Sequence, residues 1–459
     1  MTARTPATGW AGPRPRAARP VSEPPRSGRE AALRLLQRVE LEGAFANVAL
    51  RAALSQASLP QGEQELATEL VLGVLRWQGR LDWSLQAKCE RDLHDLPPAI
   101  RQVLRLGAYQ LLFLHRVPAA VAVSSSVDLA RRYGHPGTAA LVNAVLRRLA
   151  REGEPPPPQA PDERLAVMTS HPLWLVRRWL DRFPEHEVQA LCEANNTEAP
   201  AHLRVNTLKA RPEDVARRLQ EAGAEVRAGS LPESLHVRRA FDVRARLAHE
   251  GMVVPQDEAA MAVAYAVDPQ PGELVVDACA APGGKATHLA ALMGDRGKVL
   301  ACDVHPWKVD SLVRRAQALG ATCLEGRVCD ARSLDVRGAD RVLVDALCTG
   351  LGVVRRRPEI RWRVQPDHLA RAAQLQRAIL EGAGRAVRPG GVLVYSVCST
   401  EPDEGEAVVE WLLASGGFVA DPFAVPWRGG QLQAEDGRLR LWPHHHGTDG
   451  YFVARLRRR

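Results

Sequence analysis

From about Gly251 onward, short and wholly apolar segments alternate with amphipathic ones, and few folds accept that pattern. The apolar segments are Glu-Leu-Val-Val-Asp at 273–277, Lys-Val-Leu-Ala-Cys-Asp at 298–303, Arg-Val-Leu-Val-Asp at 341–345 and Gly-Val-Leu-Val-Tyr at 391–395. None shows the in–out alternation of a strand with one wet face. Strands buried on both faces belong to parallel sheets covered by helices, and residues 284–293, 307–319 and 367–387 carry the helical pattern. The expectation is an α/β, Rossmann-like domain over 251–459. Strand candidates near Leu439 and at 451–456 are expected to form an antiparallel edge.

The preceding chain reads differently. Between 28 and 150, apolar residues recur at three- and four-residue steps: Ala32, Leu35 and Val39; Leu66, Leu70, Val71, Val74 and Leu75; Ile100, Val103, Leu104, Leu106 and Leu111. This predicts an all-helical domain. The run 151–163 contains four successive prolines, an extended spacer expected to mark a domain boundary. Residues 164–250 mix helical patches (173–183, 212–222) with strand candidates at 202–206 and 234–238, which predicts a small α+β module. Residues 1–27, rich in Arg and Pro, are expected to be a disordered basic tail.

Lys and Arg number 61 against 53 acids, a net charge of +8 that favours a polyanionic partner. No apolar stretch approaches the ~18 residues of a membrane span, and the N-terminus lacks the apolar segment of a secretory signal. The eight cysteines form no Cys-x-x-Cys pair, which points to reduced thiols and a cytoplasmic location.

Ligands of parallel sheets gather at the carboxyl ends of the strands. The 273–277 strand is followed by Cys279-Ala280-Ala281-Pro282-Gly283-Gly284-Lys285, small residues that let backbone approach a ligand at a helix start. The spacing is not that of a dinucleotide fingerprint, and Lys285 is followed by Ala286 rather than the hydroxyl residue of a phosphate loop. Asp303 ends the next strand, where a carboxylate can accept hydrogen bonds from both hydroxyls of a ribose. The loop and the acid together suit a nucleoside-bearing cofactor. The last two apolar strands each deliver a cysteine, Cys348 and Cys398. If these strands are neighbours they lie ~5 Å apart, and both thiols can reach one base.

Asp277-Ala-Cys-Ala-Ala-Pro-Gly-Gly-Lys285, Asp345-Ala-Leu-Cys-Thr-Gly350 and Tyr395-Ser-Val-Cys-Ser399 resemble motifs of the RNA cytosine-5 methyltransferases named for Nol1, Nop2 and Sun. Arg204-Val-Asn206, Gln256-Asp257 and Asp449-Gly-Tyr-Phe452 are similar to the flanking motifs. The helical domain resembles the NusB antitermination domain through Val71-Leu-Gly-Val-Leu-Arg76 and Leu141-Val-Asn-Ala-Val-Leu146. A NusB-like domain ahead of this catalytic domain is similar to the bacterial Sun/Fmu enzymes, which methylate a cytosine of small-subunit ribosomal RNA.

The resemblance implies S-adenosylmethionine as cofactor, held by Cys279 to Lys285, Asp303, Asp330 and Asp345, with Asp330 facing the adenine. It implies Cys398 as nucleophile, Cys348 as the residue that assists release, Asp345 against the N3/N4 edge of cytosine, and Lys285 orienting the base and lowering a thiol pKa. Two residues depart from the family: Leu347 stands where proline is usual, and Val397 where threonine is common. Without the proline's fixed φ, slow release is expected rather than loss of activity.

Arg355, Arg356, Arg357, Arg361 and Trp362 are expected to contact RNA, arginine through phosphates and the indole by stacking. The run His444-His-His446 is read as incidental, so no metal is expected. A monomer acting on ribosomal RNA is the leading reading. A transfer-RNA cytosine-5 methyltransferase and a non-catalytic assembly factor built on a decayed methyltransferase fold remain open.

Overall fold

The computed structural model describes residues 24–56, 59–239 and 241–459. Most of the expected basic tail therefore lies outside the described residues. Ser27, at its end, already caps the first helix by accepting from Glu30 N. The chain forms two compact units. One comprises Met1–Cys192 with Arg356–Trp362, the other Glu193–Arg355 with Arg363–Arg459.

The first unit is helical: α1 (Gly28–Leu41), α2 (Ala46–Gln56), α3 (Gln61–Gln86), α4 (Pro98–Phe113), α5 (Ala119–Tyr133), α6 (Pro136–Glu152), α7 (Pro161–Met168) and α8 (Leu173–Leu180). Its core holds the residues that the periodicity selects, among them Leu35, Val39, Leu70, Val71, Val74, Ile100, Val103 and Leu104, all buried. Each such side chain contributes roughly 1.5–3 kcal/mol by leaving water.

The proline run at 151–163 follows α6, and this unit continues beyond it through α7 and α8 to Cys192. Arg80 grips Glu154 through two nitrogens, at 2.8 and 2.6 Å, and Ser170 Oγ accepts from Gly79 N at 2.9 Å. These bonds tie the start of the proline run and the turn after α7 to α3.

The second unit, entered within α9 (Glu185–Asn196), opens with a small antiparallel sheet. Its strands are β1 (His202–Val205), β2 (Glu225–Ala228), β3 (Ser234–Arg238) and β4 (Val253–Pro255), in the order β2-β3-β1-β4. Helices α10 (Pro212–Glu221) and α11 (Phe241–His249) accompany it. The sheet runs past the expected limit at residue 250, because β1 pairs with β3 on one side and takes β4 on the other.

Beyond helix α12 (Glu258–Val267) lies a mixed sheet of eight strands. Five form its parallel body: β5 (Leu274–Asp277), β6 (Lys298–Asp303), β7 (Leu324–Val328), β8 (Ala339–Asp345) and β9 (Val387–Val397). Helices α13 (Gly284–Leu292), α14 (Pro306–Leu319) and α16 (Pro366–Gly384) connect them, with the short turn α15 (Ile360–Arg363) ahead of α16. Helix α16 stops before the expected end at residue 387, and Val387 instead opens β9.

The order is β10-β14-β9-β8-β5-β6-β7. Strand β10 (Phe418–Ala420), β13 (Arg438–Leu441) and β14 (Tyr451–Arg458) are the antiparallel part. Strand β14 is interior, since it pairs with β9 on one side and with β10 and β13 on the other. A hairpin, β11 (Phe423–Trp427) and β12 (Gly430–Ala434), stands apart from this sheet. Helices α17 (Glu406–Ala414) and α18 (Pro443–His446) complete the unit.

The chain builds β5, β6 and β7 outward in one direction, then returns to lay β8 on the other side of β5. This reversal puts a crevice at the carboxyl ends of β5 and β8, where open α/β sheets receive ligands. Among the described residues, no helix is long and apolar enough to cross a membrane.

Candidate active site

Four side chains meet at that crevice. Asp345 ends β8, and Lys285 lies in the first turn of α13. Lys285 Nζ donates to Asp345 Oδ2 at 2.6 Å, and Ser396 Oγ donates to Asp345 Oδ1 at 2.7 Å. The second bond follows from register, because Asp345 and Ser396 are paired across β8 and β9. Tyr451, at the start of β14, completes the wall. Its hydroxyl lies 3.5 Å from Lys285 Nζ, which also sits 5.2 Å from the ring centroid. Burial alone would lower the Lys285 pKa. Asp345, by charge and hydrogen bond, outweighs it, with help from Cys398 and Asp277, so the ammonium is held above its ordinary value. This is a fixed positive charge beside a sulfur.

Cys348 and Cys398 follow β8 and β9, which are parallel neighbours. Their sulfurs are 3.2 Å apart. Cys348 is pushed well above the usual thiol range, first by its hydrogen bond with Cys398 and then by burial. Cys348 therefore keeps its proton. All eight cysteines are free thiols.

The loop 279–284 turns tightly after β5. Ala280 N donates to the carbonyl of Cys302 at 2.8 Å, and Gly283 adopts φ +97, where a side chain would be strained and would meet Leu312. The loop is buttressed from beneath by fully buried Arg204, whose guanidinium donates to Gln256 Oε1 at 2.9 Å and Thr287 Oγ1 at 3.0 Å. Asn206 Nδ2 donates to the carbonyls of Gly251 and Leu319. Arg204 and Gln256 thus support the start of α13, while Asn206 ties β1 to the segment before β4 and to the end of α14. Asp303 ends β6 and accepts from His305 N at 2.9 Å, a turn-capping bond that engages one of its oxygens. Asp330 caps a short turn and is forked by Arg332, with Arg332 Nη2 at 2.6 Å. Burial pushes the Cys279 thiol far up, so it stays neutral.

Sequence reasoning gave no role to Asp277, Ser396 or Tyr451. Asp277 ends β5 as Asp303 ends β6, and applying the same rule to both strands would have found it. Asp277 is buried, its Oδ1 accepts from Cys279 N at 3.3 Å, and its Oδ2 has no hydrogen-bond partner among the described residues. Burial, aided by the charge of Asp345, pushes its carboxyl up to about 7, while Lys285 pulls the other way.

Because that value lies above the ordinary ~3.9, protonated Asp277 stabilises the fold. The contribution is complete below about pH 4 and is lost as pH rises through about 7. The slope is at most about 1.4 kcal/mol per pH unit. Neutral Asp277→Asn is expected to lose this slope, so its melting temperature should gain on wild type between about pH 5 and about pH 8. Parallel melting curves over that interval would contradict the assignment.

The residues expected on RNA are divided. Arg356–Trp362 belong to the helical unit. There Trp362 Nε1 donates to the carbonyl of Leu75 at 2.8 Å, and its ring packs against Gly79. Arg361 is 0% exposed and donates to the carbonyl of Ser170 at 3.1 Å. Arg361 is therefore a packing and cross-linking group rather than an RNA contact, a correction that follows from its burial, whereas Trp362 is half-buried with its N–H engaged. The Arg357 guanidinium covers the Phe45 ring at 4.9 Å, and Arg355, in the other unit, donates to the carbonyl of Gly447. The histidine run lies on α18, where His446 Nδ1 accepts from Trp442 N.

Comparison with known proteins agrees with this architecture. Residues 264–457 match the family described as 16S rRNA methyltransferase RsmB/F, residues 26–151 the NusB family, and residues 171–244 the RsmF/B-like ferredoxin-like domain. The chain is 35% identical over 443 residues to a Bacillus subtilis protein named probable ribosomal RNA small subunit methyltransferase B, covering 94% of this chain and 99% of that one. It is 33% identical over 406 residues to ribosomal RNA small subunit methyltransferase B of Pseudomonas syringae pv. tomato, covering 86% and 89%. The crystal structure of PH0851 superposes with a TM-score of 0.80 at 31% identity, over 95% of this chain and 99% of that one. With its helical domain, its small antiparallel sheet and its mixed catalytic sheet all matched, this chain belongs to the 16S rRNA methyltransferase RsmB/F family.

Proposed function

We propose that the protein methylates carbon 5 of a cytosine in small-subunit ribosomal RNA, in the cytoplasm, using S-adenosylmethionine and a transient bond to Cys398. The observation that carries this reading is the pair of sulfurs 3.2 Å apart beside the Lys285–Asp345 ion pair.

Several features fit the cofactor. A glycine loop with φ +97 at Gly283 allows close backbone approach, and Asp303 stands at the end of β6. The buried Asp277 Oδ2 lacks a partner among the described residues. Residues Cys279 to Lys285 with Asp277, Asp303, Asp330 and Asp345 would hold it, Asp303 through the ribose hydroxyls and Asp330 near the adenine. When bound, S-adenosylmethionine supplies an electrophilic methyl group on a sulfonium centre.

The protein's own part is to make carbon 5 reactive. Unaided, that carbon is a poor nucleophile. Addition of the Cys398 thiolate to carbon 6 turns it into an enamine carbon, dividing one hard step into easier ones. Lys285, held charged, favours the thiolate. Asp345, fixed by Lys285 on one oxygen and Ser396 on the other, is aimed at the N3/N4 edge, where a proton at N3 disperses charge during attack. Cys348 takes part afterwards: its thiol proton passes to the departing Cys398 sulfur, and the thiolate so formed accepts the carbon 5 proton as the carbon 5–carbon 6 double bond re-forms. The base must leave its stack to meet both sulfurs, so a flipped or unpaired cytosine is the substrate.

The test is incubation with small-subunit ribosomal RNA, transfer RNA and methyl-labelled cofactor, followed by mapping of modified cytosines. Label at carbon 5 of a cytosine in the ribosomal RNA is expected. Label confined to transfer RNA would reassign the substrate, and absence of label from both would leave an assembly factor.

A further inference from the structure

One buried carboxylate touches both cysteine-bearing loops. Glu404 is fully buried, and each of its oxygens accepts two hydrogen bonds. Oε1 accepts from Thr349 N at 2.8 Å and Gln376 Nε2 at 3.1 Å; Oε2 accepts from Thr349 Oγ1 and from Ser399 Oγ, both at 2.5 Å. Thr349 directly follows Cys348, and Ser399 directly follows Cys398. The same side chain therefore grips the residue next to each sulfur. Its own backbone is held in turn, since Tyr395 OH donates to the Glu404 carbonyl at 2.6 Å.

Further bonds complete the frame. Gln376 Nε2 donates to the carbonyl of Leu347 at 3.0 Å, and Gly352 N donates to the carbonyl of Cys398 at 3.0 Å. Leu347 is where the family's usual proline is missing. The backbone on both sides of Cys348 is nevertheless held, by Gln376 before it and Glu404 after it.

We propose that Glu404 is a positioning residue that sets the separation and aim of the Cys348 and Cys398 sulfurs. The inference rests on the reading of these two cysteines as the reacting pair. Burying a carboxylate costs stability unless its lone pairs are satisfied. Burial does push this carboxyl up, and four donors oppose the shift. A simple structural link between two loops would need only one hydrogen bond; a shared carboxylate fixes both ends against one rigid group. A displacement of ~1 Å at reacting atoms can cost about 100-fold in rate.

The thiol separation can be read without RNA. The wild-type protein, Glu404→Ala, Glu404→Gln and Ser399→Ala are each treated with a diazenedicarboxamide. The two thiols give up two electrons and two protons and form one S–S bond, and the diazene is reduced to the hydrazine. The Cys348–Cys398 disulfide is followed by peptide mass spectrometry, and methyl transfer is measured in parallel.

Glu404→Ala is expected to slow that disulfide about tenfold or more and to lower kcat by about 100-fold, with KM for RNA within about threefold of wild type. Glu404→Gln should recover most of both. Its amide oxygen can accept from the two N–H donors, while its NH2 donates to the two hydroxyls, which can reverse. Should Glu404→Ala fail to fold, Ser399→Ala removes one of the four bonds and is expected to slow the disulfide by a few-fold. Disulfide formation at the wild-type rate in the folded alanine variants overturns the proposal. If wild-type protein transfers no methyl group while the disulfide rates still separate, the covalent reading falls and the clamp stands.

Discussion

Replacing Cys398 with alanine is expected to abolish methyl transfer, and with it every covalent RNA–protein species on a denaturing gel. The loss follows from what the crevice offers in its place. Lys285 and Asp345 are paired with each other, and an ammonium held above its ordinary pKa is no nucleophile. Cys348 is the nearest sulfur, but burial still pushes its thiol up once its partner is gone. Nothing then adds to carbon 6, and carbon 5 stays unreactive. Removal of a nucleophile that works as part of a unit costs on the order of 10⁴- to 10⁶-fold in other covalent enzymes. The fold should survive, because losing one half-buried sulfur costs only about 1 kcal/mol. Labelled methyl incorporation, with a melting curve as control, checks the outcome. A Cys398→Ala protein with activity within about tenfold of wild type would remove the sulfur from the reaction.

Where the sequence was legible, one physical rule did the work. A segment buried on both faces shows no polar alternation, so Leu274 to Asp277, Val299 to Asp303 and Val342 to Asp345 announce themselves as interior parallel strands. Edge strands lack that signature. Strand β7, Leu-Glu-Gly-Arg-Val, is largely exposed and reads as loop. The neighbouring relation of β8 and β9 was a condition in the sequence and became a distance only in the fold. Asp277, which ends β5 as Asp303 ends β6, was within reach of the same strand-end rule, whereas Ser396 was hidden by strand register, which no single segment encodes. Glu404 lies in a turn-rich stretch with no periodicity, and its role exists only because Thr349 and Ser399 arrive from two different strands. Arg361 and Trp362 misled for the opposite reason. A cluster of arginines with one indole resembles a nucleic-acid surface in composition, yet burial assigns Arg361 to packing, and the indole N–H of half-buried Trp362 is held by the Leu75 carbonyl.

The reverse outcome is expected for Cys348→Ala: not loss of attack but accumulation of its product. After addition and methylation, the base carries both a methyl group and a proton at carbon 5, and Cys398 remains bonded at carbon 6. Freedom requires a base to take that proton while the carbon–sulfur bond breaks and its electron pair returns to the Cys398 sulfur; the Cys348 thiol hands its proton to that departing sulfur, and the thiolate so formed takes the proton from carbon 5. The sulfur of Cys348 lies 3.2 Å from that of Cys398, on a loop held by Gln376 and Glu404, and its thiol, pushed well above the usual range, carries the proton to be passed. Alanine at 348 leaves the Lys285–Asp345 pair and Cys398 in place, so attack proceeds and release stalls. A retarded RNA–protein band should build up on denaturing gels, at about one RNA per protein, and disappear in Cys398→Ala/Cys348→Ala. Turnover should fall by about 100-fold or more, as expected when a positioned proton-transfer group is removed, while a single methyl transfer per enzyme persists. Multiple turnovers at the wild-type rate, with no retarded band at any time, would show that another group releases the product.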